Sequence, residues 1–198
     1  MSNSFEKKNT VNHIPVLETP RLILRELVPD DAKDLKTWIS KDEIYTYWGR
    51  QATKEELAPE LMFTGQHVGT SHNSDSDLIW WIELKDTHKV IGQIEVYDIE
   101  DDRFGMLGYR IDPAFWNSGI ATESIRRVID HIFTDTTMDR IEAKAAVENV
   151  ASNRALEKCG FTLEGTVRHG KMVNMYCDYN IWGMIRDDMI TQPDITWH

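Results

Sequence analysis

The chain has 198 residues, of which 41% are hydrophobic and 28% charged, a composition typical of one globular domain. Its formal net charge of −11 argues against nucleic-acid binding, because neutralising phosphates requires a basic surface. No apolar run reaches the length of a membrane span, so we expect no membrane association. The acidic charge either steers cationic amines toward the protein or only aids solubility, and both interpretations remain open.

The two ends of the chain are predicted to lie outside the domain. Residues 1–15 are polar, lack an apolar signal core and form an N-terminal arm, residues 16–190 form one domain, and residues 191–198 form a C-terminal tail. Cys159 and Cys177 have no metal or redox spacing, and we expect both to be reduced in a cytoplasmic protein. The seven histidines show no ligand spacing, so no metal site is predicted.

The first part of the chain predicts one extended segment followed by helices. Arg21–Leu27 is the extended segment, and Pro29-Asp30-Asp31 marks a helix start at which Asp30 can cap. A second helix is predicted near Lys54–Phe63, although Pro59 interrupts its pattern. Gly69–Asp77 is predicted to be a polar loop.

Three strands in an antiparallel meander are predicted next. They are Leu78–Leu84, Val90–Tyr97 and Phe104–Ile111, with polar turns between them. In the second strand, Ile94 and Val96 should share one face because side chains alternate along a strand.

The pattern then changes to strand, helix and strand. Gly119–Phe133 has apolar residues at helical spacing, and Arg140–Glu148 alternates between apolar and charged residues. Two strands joined by a helix should be parallel. A helix over Ala151–Cys159 should end at Gly160, and strands Phe161–Val167 and Met175–Ile185 should flank a turn at 169–174. The predicted fold class is therefore α+β, with a central, mostly antiparallel sheet, one parallel βαβ crossover and helices on both faces.

The junction before the long helix is a candidate phosphate-binding loop. A helix N-terminus offers unpaired N–H groups and partial positive charge, and a pyrophosphate can accept those hydrogen bonds. Gly119 and Ala121 are small enough to allow close approach of the backbone. A simple turn is the alternative, and the absence of G-x-G-x-x-G and G-K-[ST] argues against a dinucleotide or nucleoside-triphosphate loop.

Four ordered segments carry a resemblance to a known family: LETPRLILRELVPDDA at 17–32, IGQIEVYDIE at 91–100, LGYRIDPAFWNSGIATES at 107–124 and NVASNRALEKCGFTLEGTVR at 149–168. Together they resemble the GNAT superfamily of acetyl-CoA-dependent N-acetyltransferases, and more closely its ribosomal-protein N-terminal acetyltransferase branch. The resemblance spans Leu17 to Asp188 and implies a GNAT-like mixed sheet.

The resemblance also implies how acetyl-CoA is held. The family's pyrophosphate signature, Q/R-x-x-G-x-G/A, matches Trp116, Gly119 and Ala121, with Trp in place of Gln or Arg. The cofactor should lie along the end of strand 104–112, in a gap beside strand 139–147. The implied cofactor-binding residues are Ile111, Trp116, Asn117, Ser118, Gly119, Ile120, Ala121, Thr122, Asn149 and Asn153. Asn149 also suits a helix N-cap, and the two roles are compatible.

The resemblance implies catalytic residues with two departures from the family pattern. Many relatives place a Tyr at the position of Leu156 to protonate the leaving thiolate, and many carry a Glu at the position of Met106. Ser152 is the implied donor to the sulfur, or else a first-turn serine that satisfies helix N–H groups. Glu95 is the first candidate for general base and Glu142 the second, unless either is a solvated strand carboxylate.

The acceptor site is implied by aromatic residues. Tyr45, Tyr47 and Trp48 lie where relatives build part of this site, and Tyr109 is a further candidate, with core packing as the alternative for each. Asp178 matches an Asp of the branch and is expected to be structural.

The resulting hypothesis is an enzyme that moves an acetyl group from acetyl-CoA to a primary amine, most simply a protein or peptide N-terminal amine. A small amine such as a polyamine, an amino acid or an aminoglycoside is the first alternative. A non-catalytic acetyl-CoA-binding module is the second, because fold alone does not fix function. A homodimer is possible on general grounds.

Overall fold

A computed structural model describes residues 14–48, 77–172 and 175–189. The strands, numbered in chain order, are β1 (Leu17–Glu18), β2 (Leu22–Arg25), β3 (Leu78–Leu84), β4 (Val90–Glu100), β5 (Phe104–Ile111), β6 (Arg140–Ala146), β7 (Thr162–Met172) and β8 (Met175–Ile185). The helices are α1 (Ala32–Trp38), α2 (Ile120–Asp135), α3 (Val150–Lys158) and α4 (Arg186–Met189). Short 3-10 helices occupy Pro29–Asp31, Asp42–Tyr45 and Pro113–Phe115.

The described strands form one eight-stranded sheet in the order β1-β2-β3-β4-β5-β6-β8-β7. Every neighbouring pair is antiparallel except β5 and β6, which are parallel. The predicted α+β class and its single parallel pair are therefore confirmed. The connection between the parallel strands contains α2, as the strand–helix–strand pattern predicts.

The two faces of the sheet are covered by different helices and have separate cores. On one face, α2 buries the apolar residues that its sequence spacing predicts: Ile125, Val128, Ile129, Ile132 and Phe133. On the other face, α1 packs Leu35 and Trp38 over Ile79 and Trp81 of β3. Ile94 and Val96, which were predicted to share one face of their strand, are both fully buried on the α2 face. None of the helices in the described ranges has the length and apolar character needed to cross a bilayer.

The parallel pair separates along its length. β5 pairs with β6 only from Phe104 to Leu107, opposite Arg140 to Ala143. Beyond that point β6 continues to pair with β8 as far as Ala146, whereas the end of β5 pairs only with β4. The gap between the two strands is the feature that positions the candidate site.

Some predicted local features differ from the structure. Asp30 was predicted to cap the first helical segment, but Asp31 provides the capping contact: its Oδ2 accepts the Val28 N–H at 2.8 Å. The predicted turn at 169–174 was too long: β7 continues to Met172 because a bulge absorbs His169, which has a φ of 48°. Asp178 supports this bulge by accepting the His169 N–H at 2.7 Å, which is a structural role. The predicted helix at Lys54–Phe63 lies outside the described residues.

Candidate active site

The gap between β5 and β6 opens into a cavity of about 960 Å³. Asp112 N–H donates to the Ile91 carbonyl of β4 at 2.7 Å, and backbone groups alternate in direction along a strand. The backbone groups of Tyr109 and Ile111 therefore point away from β4 and into the gap. The Ile111 carbonyl accepts the Trp116 indole N–H at 2.8 Å, which folds the following loop against the end of β5.

The cavity is bordered by residues from both faces of the sheet. Glu95 lies opposite Gly108, and Ile79 is its other cross-strand neighbour, so its carboxylate is on the α1 face. Tyr109 lies opposite Ile94 and packs against the core under α2 and α3. Because Glu95 and Tyr109 both line the same cavity, the cavity connects the two faces through the gap.

On the α2 face, the loop before the helix has backbone conformations that favour small or polar residues. Gly119 has a φ of 82° and Asn117 a φ of 59°, both in the left-handed region. Arg21 fixes the loop, because its Nη1 donates to the Ser118 carbonyl at 3.0 Å and its Nε donates to Glu123 at 2.7 Å. The loop is therefore held in one shape by β2 and by the first turn of α2.

This loop fits a pyrophosphate group. Among the described residues, no acceptor is found for the backbone N–H groups of Ile120, Ala121 and Thr122. Three N–H groups without an acceptor in the described part of the chain, at the start of a 16-residue helix, are suited to bind an anion. A Cβ added to Gly119 would have Arg21 Nη2 as its nearest protein neighbour, at 3.5 Å, so the protein itself leaves space there. Glycine is required here by its positive φ.

The structure brings most, but not all, of the predicted cofactor residues to the cavity. Those that line it are Ile111, Trp116, Asn117, Gly119, Ile120, Ala121, Thr122 and Asn149. Asn149 also caps α3 by accepting the Ser152 N–H at 3.2 Å, which is its N-cap role, and a place in the cavity lining leaves it able to contact the cofactor. Ser118 is exposed beside the loop, and its hydroxyl donates to the Phe115 carbonyl.

Asn153 is not among the residues that line the cavity. Its amide nitrogen donates to the carbonyls of Ala146 and Asn149, each at 2.8 Å. Its amide oxygen accepts from Asn180 at 2.8 Å and from the Trp182 indole at 2.9 Å. Three of these bonds tie α3 to β6 and β8, and the fourth joins Asn153 to the N-cap of its own helix, so Asn153 holds the helix in place.

Two hydroxyl groups meet at the cavity on the α3 side. The Tyr109 and Ser152 hydroxyl oxygens lie 2.7 Å apart and share a hydrogen bond. Burial raises the pKa of the Tyr109 phenol, and the bond to Ser152 opposes that shift only in part. Tyr109 therefore stays protonated at neutral pH. Tyr109, a candidate for the acceptor site, thus lines the cavity in contact with Ser152. Leu156 lines the cavity one turn further along α3.

On the α1 face, Glu95 is a buried carboxylic acid. Its residue is 1% exposed, which excludes the solvated alternative. The pKa of Glu95 is raised from 4.5 to about 7, chiefly by burial; Arg110 opposes the rise, and Asp77 and Asp98 add to it. A carboxylate with a pKa near neutrality is suited to general base catalysis.

The second candidate base lies elsewhere. Glu142 accepts a hydrogen bond from Arg140 at 3.1 Å and does not line the cavity. Met106, at the position where relatives carry Glu, does line it but has no ionisable group. Glu95 is therefore the best-placed carboxylate among these three positions.

The aromatic acceptor candidates divide into two groups. Tyr47 and Trp48 line the cavity beside Glu95. Tyr45 instead donates its hydroxyl to the Ile39 carbonyl and packs against the core under α1. Core packing, the alternative raised for all of them, thus describes Tyr45.

Two polar residues beside Glu95 were missed by sequence reasoning. Gln93 and Arg110 are both buried, at 0% and 3% exposure, on the α1 face of the sheet. Gln93 shares a strand face with Glu95 in an otherwise apolar segment, and this pattern could have predicted that Gln93 is buried beside Glu95. Arg110 joins them only through the pairing of β4 with β5, and one sequence does not give that register.

The gap thus connects an anion-binding loop on one face to a buried carboxylate on the other, as expected of an acetyltransferase that uses acetyl-CoA. A family model described as the acetyltransferase (GNAT) domain matches residues 21–162. The chain therefore belongs to the GNAT family of N-acetyltransferases, with acetyl-CoA as its acetyl donor. The resemblance and the cofactor inferred from the sequence are confirmed.

Individual relatives agree with this assignment. The uncharacterized N-acetyltransferase YoaA of Bacillus subtilis is 32% identical over 174 residues, covering 87% of this chain and 97% of that protein. A ribosomal-protein-S5-alanine acetyltransferase from Vibrio fischeri has a TM-score of 0.71 at 21% identity, covering 91% and 100% of the two chains. The microcin C7 self-immunity acetyltransferase MccE, solved with acetyl-CoA and AMP, has a TM-score of 0.70 at 23% identity, covering 89% and 99%.

Proposed function

We propose that this enzyme acetylates the N-terminal amine of a protein or peptide, with Glu95 as general base and Ser152 as proton donor to the leaving sulfur. The observation that carries the proposal is the position of these two residues. They border one cavity from opposite faces of the sheet, so two substrates that enter from the two faces meet in the gap.

Glu95 prepares the acceptor. An amine must lose its proton before it can attack, and an α-amino group has a pKa of about 8. A carboxylate with a pKa of about 7 is largely ionised at slightly alkaline pH and still accepts a proton from such an amine. Tyr47 and Trp48 offer aromatic faces to the cationic form of the amine before proton transfer.

Ser152 and Tyr109 serve the leaving group. Acetyl-CoA supplies the acetyl group, and CoA departs as a thiol. Ser152 is positioned by its N–H bond to Asn149, and its hydroxyl can donate toward the gap while it accepts from the Tyr109 hydroxyl at 2.7 Å. This pair would take over the role of the tyrosine that many relatives carry at the position of Leu156.

Three groups of residues are proposed to hold acetyl-CoA. The N–H groups of Ile120, Ala121 and Thr122 would bind the pyrophosphate, and the backbone groups of Tyr109 and the Ile111 N–H, which point into the gap, would pair with the pantetheine arm. On α3, Arg154 and Lys158 line the cavity and supply positive charge for phosphate groups.

A peptide N-terminus is preferred over a small amine on two grounds. Ser152, three residues after Asn149, matches the pattern of the N-terminal acetyltransferase branch, and Leu156 departs from the pattern of enzymes with a tyrosine donor. The similar fold of the ribosomal-protein-S5-alanine acetyltransferase extends over 91% of this chain. We also propose a cytoplasmic location, which the free cysteines Cys159 and Cys177 support.

Release of CoA from acetyl-CoA should be measured with four acceptors: a peptide that begins with Ala, one that begins with Ser, spermidine and kanamycin. We expect turnover with at least one peptide, a product acetylated at its N-terminus by mass spectrometry, and no turnover when that N-terminus is blocked. Turnover with spermidine or kanamycin alone would assign a small-amine enzyme. Acetyl-CoA binding without any turnover would assign a non-catalytic module.

A further inference from the structure

A chain of three buried polar groups lies behind the proposed base. Arg110 donates to the Gln93 carbonyl oxygen through Nε at 2.9 Å and through Nη2 at 2.5 Å. The Gln93 amide nitrogen then donates to Glu95 Oε2 at 3.1 Å. Gln93 and Arg110 do not follow from the family pattern quoted above, and no role has been given to them so far.

The chemistry of arginine fixes the direction of this chain. A guanidinium has N–H donors and no acceptor, so the carbonyl end of the Gln93 amide must face Arg110. The NH₂ end must then face Glu95, and Oε2 of Glu95 must be an acceptor. A proton on Oε2 would oppose the Gln93 N–H, so protonation is directed to the other oxygen, Oε1.

Oε1 is also the oxygen on the open side. A Cβ added to Gly108 would lie 3.2 Å from Glu95 Oε1, 3.2 Å from Trp48 Cη2 and 3.3 Å from Tyr97 Cε1. All four of these residues line the cavity. A side chain at Gly108 would therefore crowd Oε1, and glycine keeps this oxygen uncovered among residues that line the cavity, whereas Oε2 faces Gln93.

We propose that Gln93 and Arg110 are positioning residues that direct proton transfer to Oε1 of Glu95; this rests on the proposed function of Glu95 as base. Arg110 is itself fixed among three indole rings, with its guanidinium carbon 5.9 Å from Trp38, 5.2 Å from Trp48 and 5.7 Å from Trp81. The orientation of the base is thus set from the rigid core under α1.

The groups around Glu95 predict the sign of the effect. Arg110 favours the ionised form, whereas Asp77 and Asp98 disfavour it, and Tyr97 lies beside it on β4. The Gln93 N–H also favours the ionised form, because it donates to a carboxylate oxygen. Loss of that donor should therefore raise the pKa of Glu95.

The experiment is a pH titration of the whole protein labelled with ¹³C at the glutamate carboxyl carbon, followed by NMR. The signal that disappears in Glu95→Gln is that of Glu95, and the titration needs no acceptor amine. Gln93→Met keeps a side chain of similar length but removes both polar atoms. We expect its Glu95 midpoint to rise by about one pH unit, a roughly tenfold change in proton affinity. Ser124→Ala, a buried polar change in α2, is the control and should leave the midpoint unchanged.

Two further variants keep the test decisive. If Gln93→Met does not fold, Gln93→Glu preserves shape and keeps an acceptor for Arg110; the midpoint should then rise by more than one pH unit, because the donor is lost and the new carboxylate also repels that of Glu95. Arg110→Lys keeps the positive charge but loses the pair of hydrogen bonds to the Gln93 side-chain oxygen. We expect it to raise the Glu95 midpoint by less than Gln93→Met does. An unchanged midpoint in a folded Gln93 variant would overturn the proposal.

Turnover separates this inference from the proposed function. With the Ala-starting peptide as acceptor, the acidic limb of the pH profile of kcat/KM should move with the NMR midpoint in Gln93→Met, whereas the KM for acetyl-CoA stays unchanged. If Glu95→Gln keeps wild-type turnover, the proposed function is wrong. If Glu95→Gln is inactive but the Gln93 variant shifts neither readout, only the positioning role is wrong.

Discussion

Glu95 and Ser152 line the same cavity from opposite faces of the sheet. Glu95 is on β4 and faces α1, whereas Ser152 is on α3 and contacts Tyr109 of β5. The two can act on one reaction only because β5 and β6 stop pairing after Leu107. The divergence of the strands, more than any single side chain, therefore defines where we expect acetyl transfer to take place.

The cofactor loop predicts a difference between two glycines. Gly119 has a φ of 82°, so Gly119→Ala introduces backbone strain of about 1 kcal/mol or more and disturbs the N–H groups that follow it. We expect the Kd for acetyl-CoA, measured by calorimetry, to rise roughly tenfold or more. Gly165→Ala is the matched control, because nothing lies within 4 Å of its added Cβ. Equal affinities of the two variants would remove Gly119 from the cofactor site.

The hydroxyl pair predicts a loss of turnover without a loss of binding. Tyr109→Phe removes the partner of the Ser152 hydroxyl, and Ser152→Ala removes the donor itself. We expect kcat to fall roughly 10- to 100-fold in Ser152→Ala and less in Tyr109→Phe, with the KM for acetyl-CoA nearly unchanged. Thr137→Ala, an exposed hydroxyl bound to the Asp102 carbonyl before β6, serves as the control. A wild-type kcat in Ser152→Ala would show that Ser152 is not the proton donor and has only a structural role in the first turn of α3.

Asn153 predicts a stability effect in place of a binding effect. Its side chain makes four hydrogen bonds, three of which join α3 to β6 and β8. Asn153→Ala leaves partly buried groups without partners, so we expect a loss of roughly 2–4 kcal/mol in the free energy of unfolding. Urea denaturation measures this, and the Kd for acetyl-CoA of the folded variant should stay near the wild-type value. A stable variant with weak acetyl-CoA binding would instead support direct contact with the cofactor.

The raised pKa of Glu95 predicts a stability change with pH. The folded-state pKa, about 7, is above the usual 4.5, so the folded state favours the protonated form. Glu95 therefore costs no stability below about pH 4; its cost grows as the pH rises from about 4.5 to about 7 and levels off above that. Glu95→Gln should be more stable than the wild type at pH 8 by on the order of 3 kcal/mol, and similar to it at pH 4. Thermal unfolding at the two pH values measures the difference; a constant difference would contradict the raised pKa.

Much of the fold follows from local sequence pattern. The apolar spacing of α2 and the alternation in β6 are strong because each element buries one face only. The bulge at His169 was not predictable, because a turn and a bulge use the same residue types. The pairing of β1 with β2 was also missed, since a strand of two residues carries no periodicity.

The candidate site was predictable where chemistry depends on contiguous residues. The loop from Trp116 to Thr122 lies in one segment, and the structure gives it the expected helix N-terminus. The association of Glu95 with Arg110, and of Tyr109 with Ser152, depends on strand register and on helix placement. These are long-range features, which no local pattern of one sequence encodes.

The most direct test of the central claim is the pH profile of kcat/KM for the wild type and Glu95→Gln, with an Ala-starting peptide and saturating acetyl-CoA. We expect the wild type to lose activity as the pH falls through about 7, and Glu95→Gln to be at least 100-fold slower and to retain only the limb due to the peptide amine. Glu142→Gln, which removes a carboxylate outside the cavity, should match the wild type. Wild-type activity and an unchanged acidic limb in Glu95→Gln would contradict the claim that Glu95 is the base.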